Sequence, residues 1–234
     1  MLFELKLNHI EREQNLMKEK TSFKTMVWMF FLCSMIGLCS EGLYILFQEG
    51  HWESHVVTMF IPMCPIYGLG AVLFYLIDHA LPKLNIILKA MVIGVAATVM
   101  EFLCGLLLYC GYGMRAWDYT NSKFNIMGLI CLEFLFYWML FALGYLLVVR
   151  AFRWVVDKKE LKKPKFFSTV FFKVVTIVFA VFMVVDIISA FVNIKFWSER
   201  YYGNPVDTKV EQFVETNWND ECMQNRFIEW KFLK

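Results

Sequence analysis

The chain has 234 residues, of which 59% are hydrophobic and 18% aromatic, and a formal net charge of +2. A soluble domain of this length does not need so much apolar surface, and a near-neutral charge argues against a nucleic-acid partner. The long charge-poor runs are each near the ~20 residues that carry a helix across hydrocarbon, and the ~10-residue alternating segments of a membrane β-barrel are missing.

The runs predict an all-α fold, a polytopic membrane helix bundle of about five transmembrane helices. The spans fall at 26–47, 57–78, 86–110, 126–149 and 167–191. Residues 1–25 read as a charged lead. There Phe3, Leu7 and Ile10 could form one apolar stripe of an interfacial helix or belong to a frayed tail. The first apolar run is too long for a cleavable signal. Residues 192–234 read as a polar C-terminal tail. The 48–56 loop holds no Lys or Arg, whereas the lead and the 150–166 loop are rich in both. The positive-inside rule therefore puts the N-terminus in the cytoplasm of a multi-pass cell-membrane protein, with its C-terminus outside.

Four acids lie inside the spans: Glu41 in the first, Glu101 in the third, Glu133 in the fourth and Asp186 in the fifth. With alternating span directions, all four sit roughly 7–14 Å below the outer boundary. A buried carboxylate needs a partner, a proton or a water-filled cavity, so four at similar depth suggest one polar site. Small or polar residues share their faces, as with Cys33 and Gly37 before Glu41, or Gly94, Thr98 and Gly105 around Glu101. Such stripes let helices approach closely and point the acid into the bundle. Lys173, near the cytoplasmic end of the fifth run, is expected to snorkel away from them.

The second span carries Pro62-Met63-Cys64-Pro65-Ile66-Tyr67-Gly68-Leu69-Gly70. Two prolines remove backbone donors and the glycines weaken the next turn, so this helix should be kinked or unwound in the same half as the acids. Irregular backbone at that depth either lines a cavity or is buried in protein, which makes Pro65, Tyr67 and Gly68 candidate site residues. The alternative is a plain packing kink.

In the 111–125 loop, Trp117, Tyr119 and Phe124 are natural interfacial anchors, and Asp118, Asn121 and Asn125 are turn formers. Arg115 is the nearest cation able to pair with a carboxylate of the acid cluster. His51, Glu53 and His55 read H-x-E-x-H on a short connection, a poor zinc pattern, so no metal and no cofactor are expected. The seven cysteines include no C-x-x-C pair and read as packing residues. No nucleotide-binding or hydrolase motif is present.

Three further motifs occur with the second-span run: Glu101-Phe102-x-x-Gly105, Trp117-Asp118-Tyr119-Thr120, and Phe124-Asn125-x-x-Gly128-x-Ile130-Cys131. In this order and spacing, residues 28–150 resemble the bacterial membrane proteins called putative ABC-transporter type IV permeases. The resemblance implies a multi-pass protein of the bacterial inner membrane, and the family also places Glu at the positions of Glu41 and Glu101. The chain departs from the family in three places. Ser54-His55-Val56-Val57 stands where Arg-Gly is common, Leu129 where Arg is common, and Met139 where Gly is common. Losing two cations beside an acidic site would either change its ligand or leave this member degenerate.

Three functions fit. The leading one is a permease-like transport component whose acidic outer site handles a cation, a proton or an amine-bearing solute. Its partners would be membrane lipids, a separate ATPase subunit and a second copy of the chain. The alternatives are an outer-leaflet enzyme acting on lipid or cell-wall material, and a non-catalytic structural or sensor protein. Substitution of the acids separates them: flux is lost in the first, turnover in the second and stability in the third.

Overall fold

The computed structural model describes residues 21–52, 54–158, 166, 169–204 and 208–233. The N-terminal stripe of Phe3, Leu7 and Ile10, together with Glu53 and the basic stretch 159–165, lies outside the described residues. Five apolar helices form the bundle: α1 (Phe23–Glu49), α2 (Pro65–Ala80), α3 (Ile86–Tyr112), α4 (Leu132–Lys158) and α5 (Val170–Tyr201). Four are long and apolar enough to cross a membrane, and α2 is a shorter apolar helix. The chain is therefore a multi-pass membrane protein with an all-α bundle. Helices α1 and α2 pack as one pair and α3 and α4 as another, and α5 leans on α1 and α3.

Helix boundaries differ from the expected spans at four places, one of them the end of α4, which runs to Lys158 and not 149. The stretch 57–64 is not helical, and α2 starts only at Pro65, which occupies the first helical turn. Proline lacks the N–H that is unsatisfied there in any case, so it fits a helix start and not a helix interior. Helix α4 starts at Leu132 and not at 126, because the chain before it turns through positive φ at Phe124, Met127 and Gly128. Helix α5 continues to Tyr201 and not only to 191, where its end packs on the C-terminal segment.

That segment is folded. It holds α6 (Lys209–Asn217) and α7 (Asp220–Arg226), and then a strand, β2 (Lys231–Phe232), that pairs antiparallel with β1 (Met114–Arg115). The side chains of Thr208 and Asn219 cap the two short helices by accepting from the N–H groups of Glu211 and Cys222. Phe227, Met223 and Trp197 are buried with Met59 and Met114, which fixes the segment over the acid-bearing end of the bundle. Tyr202 adds a hydroxyl hydrogen bond to the carbonyl of Gly113 at 2.7 Å.

The non-helical stretch 57–64 is held by Asp186. This side chain is fully buried, and its carboxylate accepts from three consecutive backbone N–H groups: Met59 at 2.8 Å, Phe60 at 2.9 Å and Ile61 at 2.7 Å. Thr58 completes the turn by donating its hydroxyl to the carbonyl of Ile61. Backbone polar groups at membrane depth must be satisfied within the protein, and a carboxylate is the acceptor best suited to three donors at once.

At the opposite end, Lys89 and Asp78 form a buried pair at 2.6 Å, and Arg153 approaches the second Asp78 oxygen at 3.4 Å. Each charge offsets the desolvation of the other across the short turn between α2 and α3. Lys173 is exposed on α5, as a snorkelling lysine would be.

Asp186→Asn is expected to destabilise the protein by at least ~3 kcal/mol, because an amide offers one acceptor where three N–H groups need two oxygens. Thermal unfolding in detergent, with wild type alongside, measures this loss.

Candidate functional site

Between the two helix pairs, at the acid-bearing end, lies a cavity of about 410 Å³. Two of the four acids, Glu41 and Glu101, line it. Glu41 projects from α1 and accepts from the Tyr67 hydroxyl on α2 at 2.6 Å. Glu101 projects from α3 and accepts from the Tyr119 hydroxyl at 2.9 Å and from the Trp138 indole N–H on α4 at 2.8 Å. Each carboxylate is thus held by neutral donors from another element. Among the described residues, no cation hydrogen-bonds to either one.

The other two acids are elsewhere. Asp186 spends its carboxylate on the 59–61 turn. Glu133 is the second residue of α4, exposed, and accepts from the Tyr137 hydroxyl one turn on, at 3.0 Å. With α4 starting at Leu132, Glu133 sits at a helix N-terminus, where the dipole favours a carboxylate. The common depth inferred from span alternation therefore does not become one four-acid cluster.

Tyr67 reaches Glu41 because α1 and α2 nearly touch. A Cβ on Gly37 would run into the Tyr67 ring, and one on Gly68 into Ser34 and the backbone carbonyl of Phe30. Pro65 lines the cavity at the start of the same helix. Gly94 plays the matching part between α3 and α4, facing the backbone of Met139.

Tyr119 reaches Glu101 because the 113–131 loop braces itself. Asp118 accepts from the Thr120 N–H at 3.0 Å and from Arg115 at 2.8 Å. The Thr120 N–H, helped by the Arg115 guanidinium, holds the Asp118 carboxyl below the usual range. Asn125 donates to the carbonyls of Thr120 and Ser122 and accepts from the Gly128 N–H. The Gly128 carbonyl accepts from the Tyr119 N–H at 2.8 Å. Trp117 lines the cavity and donates its indole N–H to the Leu129 carbonyl at 2.8 Å. Burial, with Glu101 beside it, pushes the Tyr119 phenol well up, so it stays a donor.

Arg115, expected to pair with an acid of the cluster, pairs instead with Asp118 and lies over the Tyr109 ring at 5.2 Å. Its three-residue distance from Asp118 makes this the nearer partner. The Leu129 side chain is buried and in contact range of Gly105.

Sequence reasoning missed the cavity's other wall. Residues 226–230, at the end of α7 and before β2, line it together with His55. His55 Nδ1 lies 3.6 Å from a Glu229 oxygen, and Arg226 donates to the Met59 carbonyl at 2.7 Å. Amphipathic turns this short carry little periodicity, and a mixed-charge tail gives no depth signal. The H-x-E-x-H histidines diverge: His51 approaches Glu49 at 3.6 Å, and His55 turns to Glu229. No group of three metal-ligating side chains occurs among the described residues.

Comparison with known families gives a match. The family described as Putative ABC-transporter type IV covers residues 28–191. That range holds both cavity carboxylates, their tyrosine donors and the whole 113–131 loop. No curated protein and no solved structure matches the chain.

Gly128→Ala should unseat the loop. Gly128 has φ of 68°, and a Cβ there would meet Arg115, Thr120 and Asp118. The expected loss is about 1–3 kcal/mol of stability, against roughly 1 kcal/mol for Tyr119→Phe, read by thermal unfolding of the two variants.

Proposed function

We propose that this chain, which belongs to the family described as Putative ABC-transporter type IV, is the membrane-spanning component of a transport system whose outer cavity receives an amine-bearing solute. One observation carries the reading: Glu41 and Glu101, from different helix pairs, line a single cavity and, among the described residues, are held only by neutral hydrogen-bond donors. A mainly apolar chamber lined by three carboxylates, Glu41, Glu101 and Glu229, against the one guanidinium of Arg226 favours an organic cation, whose charge the acids offset and whose carbon atoms the walls accept. A hydrated metal ion would ask for six or more oxygen ligands, and phenols, indoles and aliphatic chains supply few.

The tyrosines support the same role. Tyr67 and Tyr119 keep the carboxylate oxygens oriented while leaving each carboxylate able to accept from an ammonium group. The distribution of Lys and Arg supports an N-terminus in the cytoplasm of the bacterial inner membrane and a cavity near the outer face. The sequence has no nucleotide-binding motif, so energy from ATP would come through a separate ATPase subunit. Five apolar helices are few for a complete path, which favours assembly of two copies.

The test is thermal stability of the purified protein with propylamine at high millimolar concentration. Wild type should gain about 2–4 °C near saturation. Glu101→Gln and Glu41→Gln should stay folded and lose most of that gain. Equal gains in wild type and both variants, or none in wild type, would remove the acidic site from the account.

A further inference from the structure

The cavity's walls differ in kind. At one pole stand Glu41, Glu101, Tyr67 and Tyr119. The wall beyond the helix ends is made by residues 226–230. This segment is anchored at four points: Arg226 to the Met59 carbonyl, Phe227 in a buried cluster, His55 to Glu229, and β2 paired with β1. A solute coming from water along the bundle axis therefore meets an anchored roof.

The sides are different. Leu69 of α2, Leu107 of α3, and Tyr137 and Phe141 of α4 line the cavity and are at the same time 44%, 51%, 43% and 64% exposed. Exposure that large on an apolar helix of the bundle is exposure at its outer wall, the side that acyl chains cover in a membrane. The same side chains thus border both the cavity and the outer apolar surface of the bundle, so the wall between that surface and the carboxylates of Glu41 and Glu101 is one side chain thick there.

Resting on the amine-binding reading above, we infer that the ligand is an amphiphile taken from the outer leaflet: its amine head lies between Glu41 and Glu101, and its hydrocarbon chain passes out between the helices past Leu69, Tyr137 and Phe141. Charge complementarity selects the head, since each carboxylate has only neutral donors among the described residues. The chain stays in hydrocarbon throughout, so the head alone is transferred, and its desolvation is offset by the paired acids. A water-soluble amine of the same head chemistry would gain nothing from access at the side.

The experiment uses the full chain in phosphatidylcholine nanodiscs and two photoreactive probes: dodecylamine with a mid-chain diazirine, and the matching dodecanol. Adducts are mapped by mass spectrometry. The amine probe should label Leu69, Tyr137 or Phe141 about tenfold more than the alcohol does, the effect of one retained ion pair. That excess should vanish in the Glu41→Gln/Glu101→Gln double variant, which is checked for folding by its unfolding temperature. If the double variant does not fold, competition of wild-type labelling by excess unlabelled dodecylamine takes its place, and the same excess must disappear. Amine adducts confined to residues 226–230 would overturn access from the side while leaving the acidic site standing. Equal labelling by amine and alcohol, unchanged in the double variant, would mean bulk lipid contact only and overturn the inference. The propylamine shift described above decides separately whether the amine-binding reading itself fails.

Discussion

Everything at the acid-bearing end depends on one carboxylate satisfying three amides. The stretch 57–64 carries Pro62 near its end and is followed at once by Pro65, which opens α2, so it cannot run as helix. Left alone at membrane depth, its N–H groups would each be costly to bury. Asp186 of α5 gathers the N–H groups of Met59, Phe60 and Ile61 and ties this stretch to a helix more than a hundred residues away. Helix α2 then starts at Pro65, Tyr67 faces α1 across Gly37, and Glu41 acquires its donor. The Met59 carbonyl, fixed by the same turn, receives Arg226 and so anchors the roof.

The second device is the braced loop before α4. Asp118, Asn125 and Gly128 make hydrogen bonds almost entirely within the loop, and their combined effect is to present Tyr119 to Glu101. This gives the W-D-Y and F-N-x-x-G motifs a physical meaning in this chain. Most of their polar residues hold the backbone in an unusual path, and one hydroxyl and one indole face the cavity. Leu129 and Met139 act here through packing: the first is buried by Gly105, the second faces Gly94. Among the described residues, the carboxylate of Glu101 has neutral hydrogen-bond partners, Tyr119 and Trp138.

Much of this architecture could be read from residue order. Long apolar runs marked the five apolar helices, four of them long enough to cross a membrane, and the prolines flagged the broken second one. The alternation of spans put four acids at one end. Depth, however, is not direction. Span alternation assigned Asp186 and Glu101 comparable depths, yet one faces a loop and the other a cavity, and that choice is made by residues 59–61 and by Tyr119. Glu133 moved to the bundle's edge because Phe124, Met127 and Gly128 take positive φ, which no hydrophobic count registers. The Lys89–Asp78 pair joins residues on both sides of a turn, where each alone looks like an interfacial charge. The roof was illegible because it is built from short, capped turns whose burial comes from α5 and β1 and not from their own pattern.

The central claim is that the four acids do separate jobs: Glu41 and Glu101 face a chamber one side chain away from the bundle's outer surface, while Asp186 is closed off by backbone. The most direct measurement is modification by a membrane-soluble carbodiimide at mildly acidic pH, mapped residue by residue on the folded protein. The account requires Glu41 and Glu101 to be modified and Asp186 to stay unmodified until the protein unfolds. Modification of Asp186 in the folded protein, with Glu41 and Glu101 untouched, would contradict it.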